Sequence, residues 1–111
     1  MVKVIALLLA QLLTAPIVSE SVEIGGSGDV DLVTFECRDI NRSTVLQRVC
    51  YDPAQRQLIV ARGGVYERYC GVPAPTVEGL MGASSMGQFF NRNIRRQASG
   101  DRYACAAPRR T

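Results

Sequence analysis

Six arginines stand among the last twenty residues, at positions 92, 95, 96, 102, 109 and 110, against one acid, Asp101. Guanidinium groups at that density neutralise phosphates and form bidentate bonds with carboxylates, so the segment is a candidate for contact with an anionic partner. Tyr66, Arg68 and Tyr69 stand upstream on a strand-like segment and would add aromatic faces for stacking beside that charge. Tyr66, Arg68, Tyr69, Arg92, Arg95 and Arg96 are therefore the candidate binding set. The plainer reading of the same residues is a solvated helix face, with tyrosines packed at the edge of a core. Strand parity divides the tyrosines: Tyr66 shares a face with Arg68 and Cys70, Tyr69 with Val65 and Glu67.

Other chemistry is thinly supplied. The chain has no His, which removes the Ser-His-Asp and Cys-His nucleophile pairs and the commonest metal ligand. Asp39, Asp52, Glu67 and Glu78 could in principle pair for hydrolysis. Their places at turns, mid-strand and early in a helix account for them without catalysis, so no catalytic residue is expected. Asp29 and Asp31 follow glycines and could offer oxygens to calcium, but no full binding loop surrounds them. No metal and no cofactor is expected. Asn41-Arg42-Ser43 matches the glycosylation sequon, which matters only in a eukaryotic secretory pathway.

Residues 1–21 have the order of a secretory leader: Lys3, an apolar run from Val4 to Leu13, Pro16, then the small residues Ser19 and Ser21. A membrane span needs roughly 20 apolar residues, and this run is shorter and broken by Gln11, Thr14 and Pro16. Cleavage after Ser21 would leave 90 residues starting at Val22, with twelve basic side chains, all Arg. The expected location is secreted or periplasmic. Cys37, Cys50, Cys70 and Cys105 all lie beyond the leader, with 12, 19 and 34 residues between them. That spacing has no Cys-x-x-Cys and supports neither a zinc ribbon nor a redox pair. It reads as two disulfides in a short exported domain.

The elements that must position these groups follow along the chain. Gly25-Gly26-Ser27-Gly28 reads as a linker within an N-terminal extension over 22–42, and Asp29–Cys37 as an extended or edge strand whose alternation slips at Leu32-Val33. Val45–Tyr51, Gln57–Ala61 and Val65–Cys70 are β-branched and aromatic runs, separated by Asp52-Pro53-Ala54-Gln55 and by Gly63-Gly64. They predict a three-stranded antiparallel meander. Pro75 suits the first turn of a helix carrying Val77, Leu80 and Met81 on one face. Met86, Phe89, Phe90 and Ile94 predict a second helix, with Ser85 available as its N-cap. Residues 97–111 read as a loop-like tail anchored only by Cys105. The fold class is α+β: the meander, with a fourth edge strand as an option, covered on one face by two short helices. In such a meander the outer strands lie about 10 Å apart, too far for Cys50 to reach Cys70. Each is then expected to pair with Cys37 or Cys105.

Residues 43–96 resemble the KTSC domain, a module found at the C-terminus of some lysyl-tRNA synthetases and alone in small bacterial proteins. The resemblance rests on Val49-Cys50-Tyr51-Asp52, Gly63-Gly64-Val65-Tyr66, Gly71-Val72-Pro73 and Glu78-Gly79-Leu80-Met81. Ala83-Ser84-Ser85-Met86-Gly87-Gln88-Phe89-Phe90-Asn91 is the most specific block. The family's Tyr-x-Tyr before Val-Pro is held here by Glu67 and Tyr69, and the leader with four cysteines marks an exported branch. The resemblance implies no established activity; RNA binding is suggested only by the synthetase attachment. The reading as a whole is an exported, disulfide-stabilised binding or interaction module. Its expected partner is an anionic polymer, a membrane surface or a protein, with nucleic acid as the alternative and no small-molecule cofactor.

Overall fold

The computed structural model describes residues 20–100 and 102–105. Residues 1–19 of the leader expected over 1–21, and the terminal arginines 109 and 110, lie outside the described residues. Six strands come first: β1 (Ser21–Glu23), β2 (Asp29–Asp31), β3 (Glu36–Asp39), β4 (Arg48–Asp52), β5 (Gln57–Arg62) and β6 (Val65–Tyr69). The helical half follows: α1 (Ala74–Gly82), α2 (Met86–Phe90), a π-helical turn (Asn91–Arg95) and α3 (Arg96–Ser99).

β3 to β6 form one antiparallel sheet in the order β3-β4-β5-β6. The expected meander is β4–β6, and β3 is the fourth, edge strand. Gly63 and Gly64 close the β5–β6 hairpin with φ of +61° and +80°, the backbone that a two-residue turn requires. At the β4–β5 turn, buried Asp52 accepts hydrogen bonds from the Thr34 hydroxyl at 2.7 Å and the Ala54 and Gln55 amides at 3.0 and 3.2 Å. Those donors, the Thr34 hydroxyl foremost, hold the carboxyl below its usual range. The first meander strand starts later than expected: Ser43 Oγ accepts from the amides of Val45 and Leu46, and that turn delays pairing until Arg48.

Both faces of the sheet are covered. On one, Val49, Tyr51, Leu58, Val60 and Tyr69 pack beneath Val77, Leu80, Phe90 and Ile94 of the helical half. On the other, Cys50 and Ile59 pack against Val22, Ile24 and Leu32. Gly25–Gly28 is thus not a linker, and the extension over 22–42 is part of the packed fold. Gly25–Gly28 lies between paired β1 and β2, with Val22 opposite Val30, because burying Val22, Ile24 and Leu32 on the sheet outweighs the freedom of the glycines. The slip in alternation at Leu32-Val33 marks the bend between β2 and β3, where Asp31 Oδ1 accepts from the Val33 amide at 2.9 Å.

The second helix is longer than expected. Met86, Phe90 and Ile94 are buried and Ala98 packs against the same core, all at strict four-residue spacing. Four α-helical residues overshoot one turn by about 40°, so such a stripe would rotate off the sheet. The π turn, in which the Arg96 amide reaches back to the Asn91 carbonyl, unwinds the helix and keeps Ile94 fully buried. Asn93 Nδ2 donates to the Phe89 carbonyl at 3.1 Å alongside the wider turn. Helix therefore runs to Ser99, where a loop was expected. Ser85 caps the start of α2 as anticipated, accepting from the Gln88 amide. Beyond it Tyr103 is buried and its carbonyl accepts from the Cys70 amide at 2.9 Å, so the described part of the tail is packed rather than loose.

Two disulfides close the framework. Cys37 and Cys50 face each other across β3 and β4, and Cys70 is bridged to Cys105. The Cys50–Cys70 pair excluded by the width of the meander does not form.

Candidate binding surface

The structure sorts the arginines into two kinds. Arg42 donates to the carbonyls of Met81 and Ala83, at 2.7 Å for the latter, and so satisfies the C-terminal end of α1. Arg48 grips both carboxylate oxygens of Glu20, donates to the Tyr66 hydroxyl at 3.3 Å and lies 3.7 Å from Asp39. Hydrogen bonding to Glu20 and Tyr66 raises the pKa of Arg48 and fixes its charge in place. Arg62 Nε donates to Glu67 Oε1 at 2.7 Å. These three hold the fold. Arg92, Arg95 and Arg96 are exposed, on the π turn and the start of α3, and among the described residues none of them is ion-paired. Arg92 and Arg96 lie four residues apart on this run, and Arg95, next to buried Ile94, is near enough to Tyr69 to act on its hydroxyl.

The aromatic half of the candidate set is not assembled. Tyr69 is 6% exposed, with its ring edge-on to Phe90 at 5.7 Å and its hydroxyl donating to Glu67. Burial, with Glu67 beside it, pushes its pKa up to about 12. Tyr66 is half-buried on the opposite sheet face, against the β1–β2 hairpin and Arg48. Strand parity separates them, so they cannot form one stacking platform, and both hydroxyls are used within the fold. Arg68 is exposed on the Tyr66 face, away from the helix. The surviving candidate surface is the trio Arg92, Arg95 and Arg96.

Two concavities escaped the reading of the sequence. One, about 380 Å³, lies between β3–β4 and α1; Val49, Tyr51, Val77 and Met81 form its floor, with Glu36, Arg38 and Glu78 around it. It needs β3 to stand next to α1, which no local pattern announces. The other, about 310 Å³, runs between Ser43–Val45 and Ser84–Asn91. At its floor Gly87 meets Val45: a Cβ on Gly87 would lie 2.7 Å from Val45 Cγ2. Ser84, Ser85, Gly87, Gln88 and Asn91 of the most specific sequence block line it, and the buried Asn91 Oδ1 has no hydrogen-bond partner. Asp29 and Asp31 lie on exposed β2, and no group of three metal-ligating side chains comes together among the described residues.

The KTSC domain profile matches residues 42–97, from the arginine that caps α1 to the last helical turn. The chain belongs to the KTSC domain family. A crystal structure of a KTSC domain protein from Yersinia pestis is similar at 29% identity and a TM-score of 0.52, over 55% of this chain and 86% of that one. No curated protein matches the chain. The KTSC match starts after β3, so the β1–β2 hairpin, β3 and Cys37 precede the family unit, and Tyr103 and Cys105 follow it. Each bridge therefore ties an added segment to the KTSC sheet. Disulfides persist in oxidising compartments, which fits a non-cytoplasmic setting. No helix among the described residues is long and apolar enough to cross a membrane.

Proposed function

We propose that this KTSC chain is an exported, disulfide-braced binding module without catalytic activity, and that its partner is an anionic polymer of the cell envelope. The observation that carries the reading is the exposed trio Arg92, Arg95 and Arg96, displayed along the helical run from the π turn into α3 while Arg42, Arg48 and Arg62 are held in the fold. Guanidiniums on a fixed element meet carboxylates or phosphates with less loss of freedom than those on a loose tail. Export is supported by the leader-like first residues together with the two bridges. The non-catalytic reading is supported by how the acids are used. Asp52 and Glu67 are hydrogen-bonded within the fold, while Glu36 and Glu78 stand exposed around one groove.

The test titrates the oxidised protein against a fluorescent acidic polysaccharide, anionic phospholipid vesicles and a single-stranded RNA at increasing salt. The triple variant Arg92→Ser, Arg95→Ser, Arg96→Ser is measured alongside. The reading expects the polysaccharide to bind most tightly and the triple variant to lose about tenfold in affinity, with a flatter salt dependence. Unchanged affinity in the triple variant would refute it. Stronger binding to RNA or to vesicles would move the partner to that class.

A further inference from the structure

The small residues Ser19 and Ser21 suggest cleavage after Ser21, but the fold uses the two residues that such a cut would remove. The Glu20 carbonyl accepts from the Leu32 amide at 2.7 Å, and its carboxylate grips Arg48 with both oxygens, one at 2.7 Å. Ser21 pairs with Asp31 as the first residue of β1. The bonds between Glu20 and Leu32 and between Ile24 and Gly28 set the alternation of the hairpin ladder. By that alternation Val22, opposite Val30, is a hydrogen-bonded pair whose amide points into the ladder. A chain starting at Val22 would replace that amide with an ammonium on a residue only 6% exposed. It would also strip Leu32, equally buried, of its acceptor. Arg48 would lose its bidentate partner and keep only distant Asp39 and the Tyr66 hydroxyl. A cut two residues earlier, between Ser19 and Glu20, has none of these costs to the fold. Glu20 is exposed, so its new ammonium stays in water; Ser19 is the small residue immediately before the scissile bond, with Ile17 at the third place before it, where the rival cut has Ser19.

We propose that the leader is removed by hydrolysis of the Ser19–Glu20 bond, which makes Glu20 the first residue of the folded protein. Water is the co-reactant: the amide breaks, Ser19 leaves as a carboxylate and Glu20 keeps the ammonium. This rests on the export reading and refines it, because it assigns Glu20 and Ser21 to the folded domain instead of the leader.

The experiment expresses the full precursor in a host with a periplasm and determines the first residue of the purified protein by mass spectrometry. Two variants accompany it. Ser19→Arg puts a charge immediately before the assigned bond, and Ser21→Arg puts one immediately before the rival bond at an exposed position. The expected outcome is a chain starting at Glu20, with cleavage abolished or displaced in Ser19→Arg and retained at Glu20 in Ser21→Arg. A first residue other than Glu20, or processing blocked by Ser21→Arg, overturns the assignment while leaving export intact. Recovery of chains still carrying Met1, in the cytosol and with free thiols, refutes the export reading itself.

Discussion

Removing the Cys70–Cys105 bridge should destabilise the protein more than removing Cys37–Cys50. The two bridges span 35 and 13 residues. Loop-closure entropy in the unfolded chain then assigns about 3.8 kcal/mol to the longer loop and about 2.9 kcal/mol to the shorter. A domain of this size has a total stability of about 4–13 kcal/mol, so the pair supplies a large share of it. At about 4–8 °C per kcal/mol, Cys70→Ala with Cys105→Ala should lower Tm by about 15–30 °C. Both cysteines of a pair must be replaced, because a lone thiol invites exchange with the other bridge. The measurements are urea unfolding followed by circular dichroism, and thermal melts, on each double variant and on the fully reduced protein. The reduced protein should be largely unfolded at ordinary temperatures. A reduced form that melts within a few degrees of the oxidised one would refute the reasoning, and it would also remove the structural argument for an oxidising compartment. Equal losses from the two double variants would show that the bridges act through native contacts, such as the docking of buried Tyr103, more than through the unfolded chain.

Because the Tyr69 pKa is raised to about 12 from the ordinary 10, its contribution to stability is complete below pH 10 and is lost as pH rises through about 12. The full loss is about 2–3 kcal/mol, to be read from urea midpoints across that range, and Tyr69→Phe should remove much of the alkaline slope. Gly79→Ala should destabilise by about 1–3 kcal/mol, because its Cβ would meet the Phe89 ring at 2.7 Å. Gly82→Ala, with open space around it, should be neutral or stabilise by up to about 1 kcal/mol, and comparing the two separates crowding from helix propensity. Arg42→Ala should cost about 1–2 kcal/mol by leaving the Met81 and Ala83 carbonyls without their donor, measurable as a lowered denaturation midpoint.

The meander was legible because its signals are local. Gly63-Gly64 fixes a turn by backbone sterics, Asp52-Pro53 fixes another, and the runs between them have strand chemistry. Ser85 as N-cap and the Met86–Phe90–Ile94 stripe were readable for the same reason. The four-residue spacing of that stripe also carried the π turn, although only a comparison with the 3.6-residue period exposes it. The covered second face had a trace in the sequence too: Leu58-Ile59-Val60-Ala61 does not alternate, as befits a strand buried on both sides. What covers it was not legible, since four glycine-rich residues look alike whether they form a linker or a hairpin turn.

By itself the sequence determined the order of the three meander strands and the two helices after them, the family, the even cysteine count and the surplus of arginine near the C-terminus. Each of these depends on residue type at short range. Only the tertiary structure decided that Tyr66 and Tyr69 lie on opposite faces of a sheet covered on both sides, and that Arg42, Arg48 and Arg62 are held by the fold while Arg92, Arg95 and Arg96 are not. The physical reason is that a side chain's availability depends on what packs against it from distant parts of the chain. Glu20 reaches Arg48 and Arg42 reaches α1 across 28 and 41 residues, and no local pattern encodes those meetings.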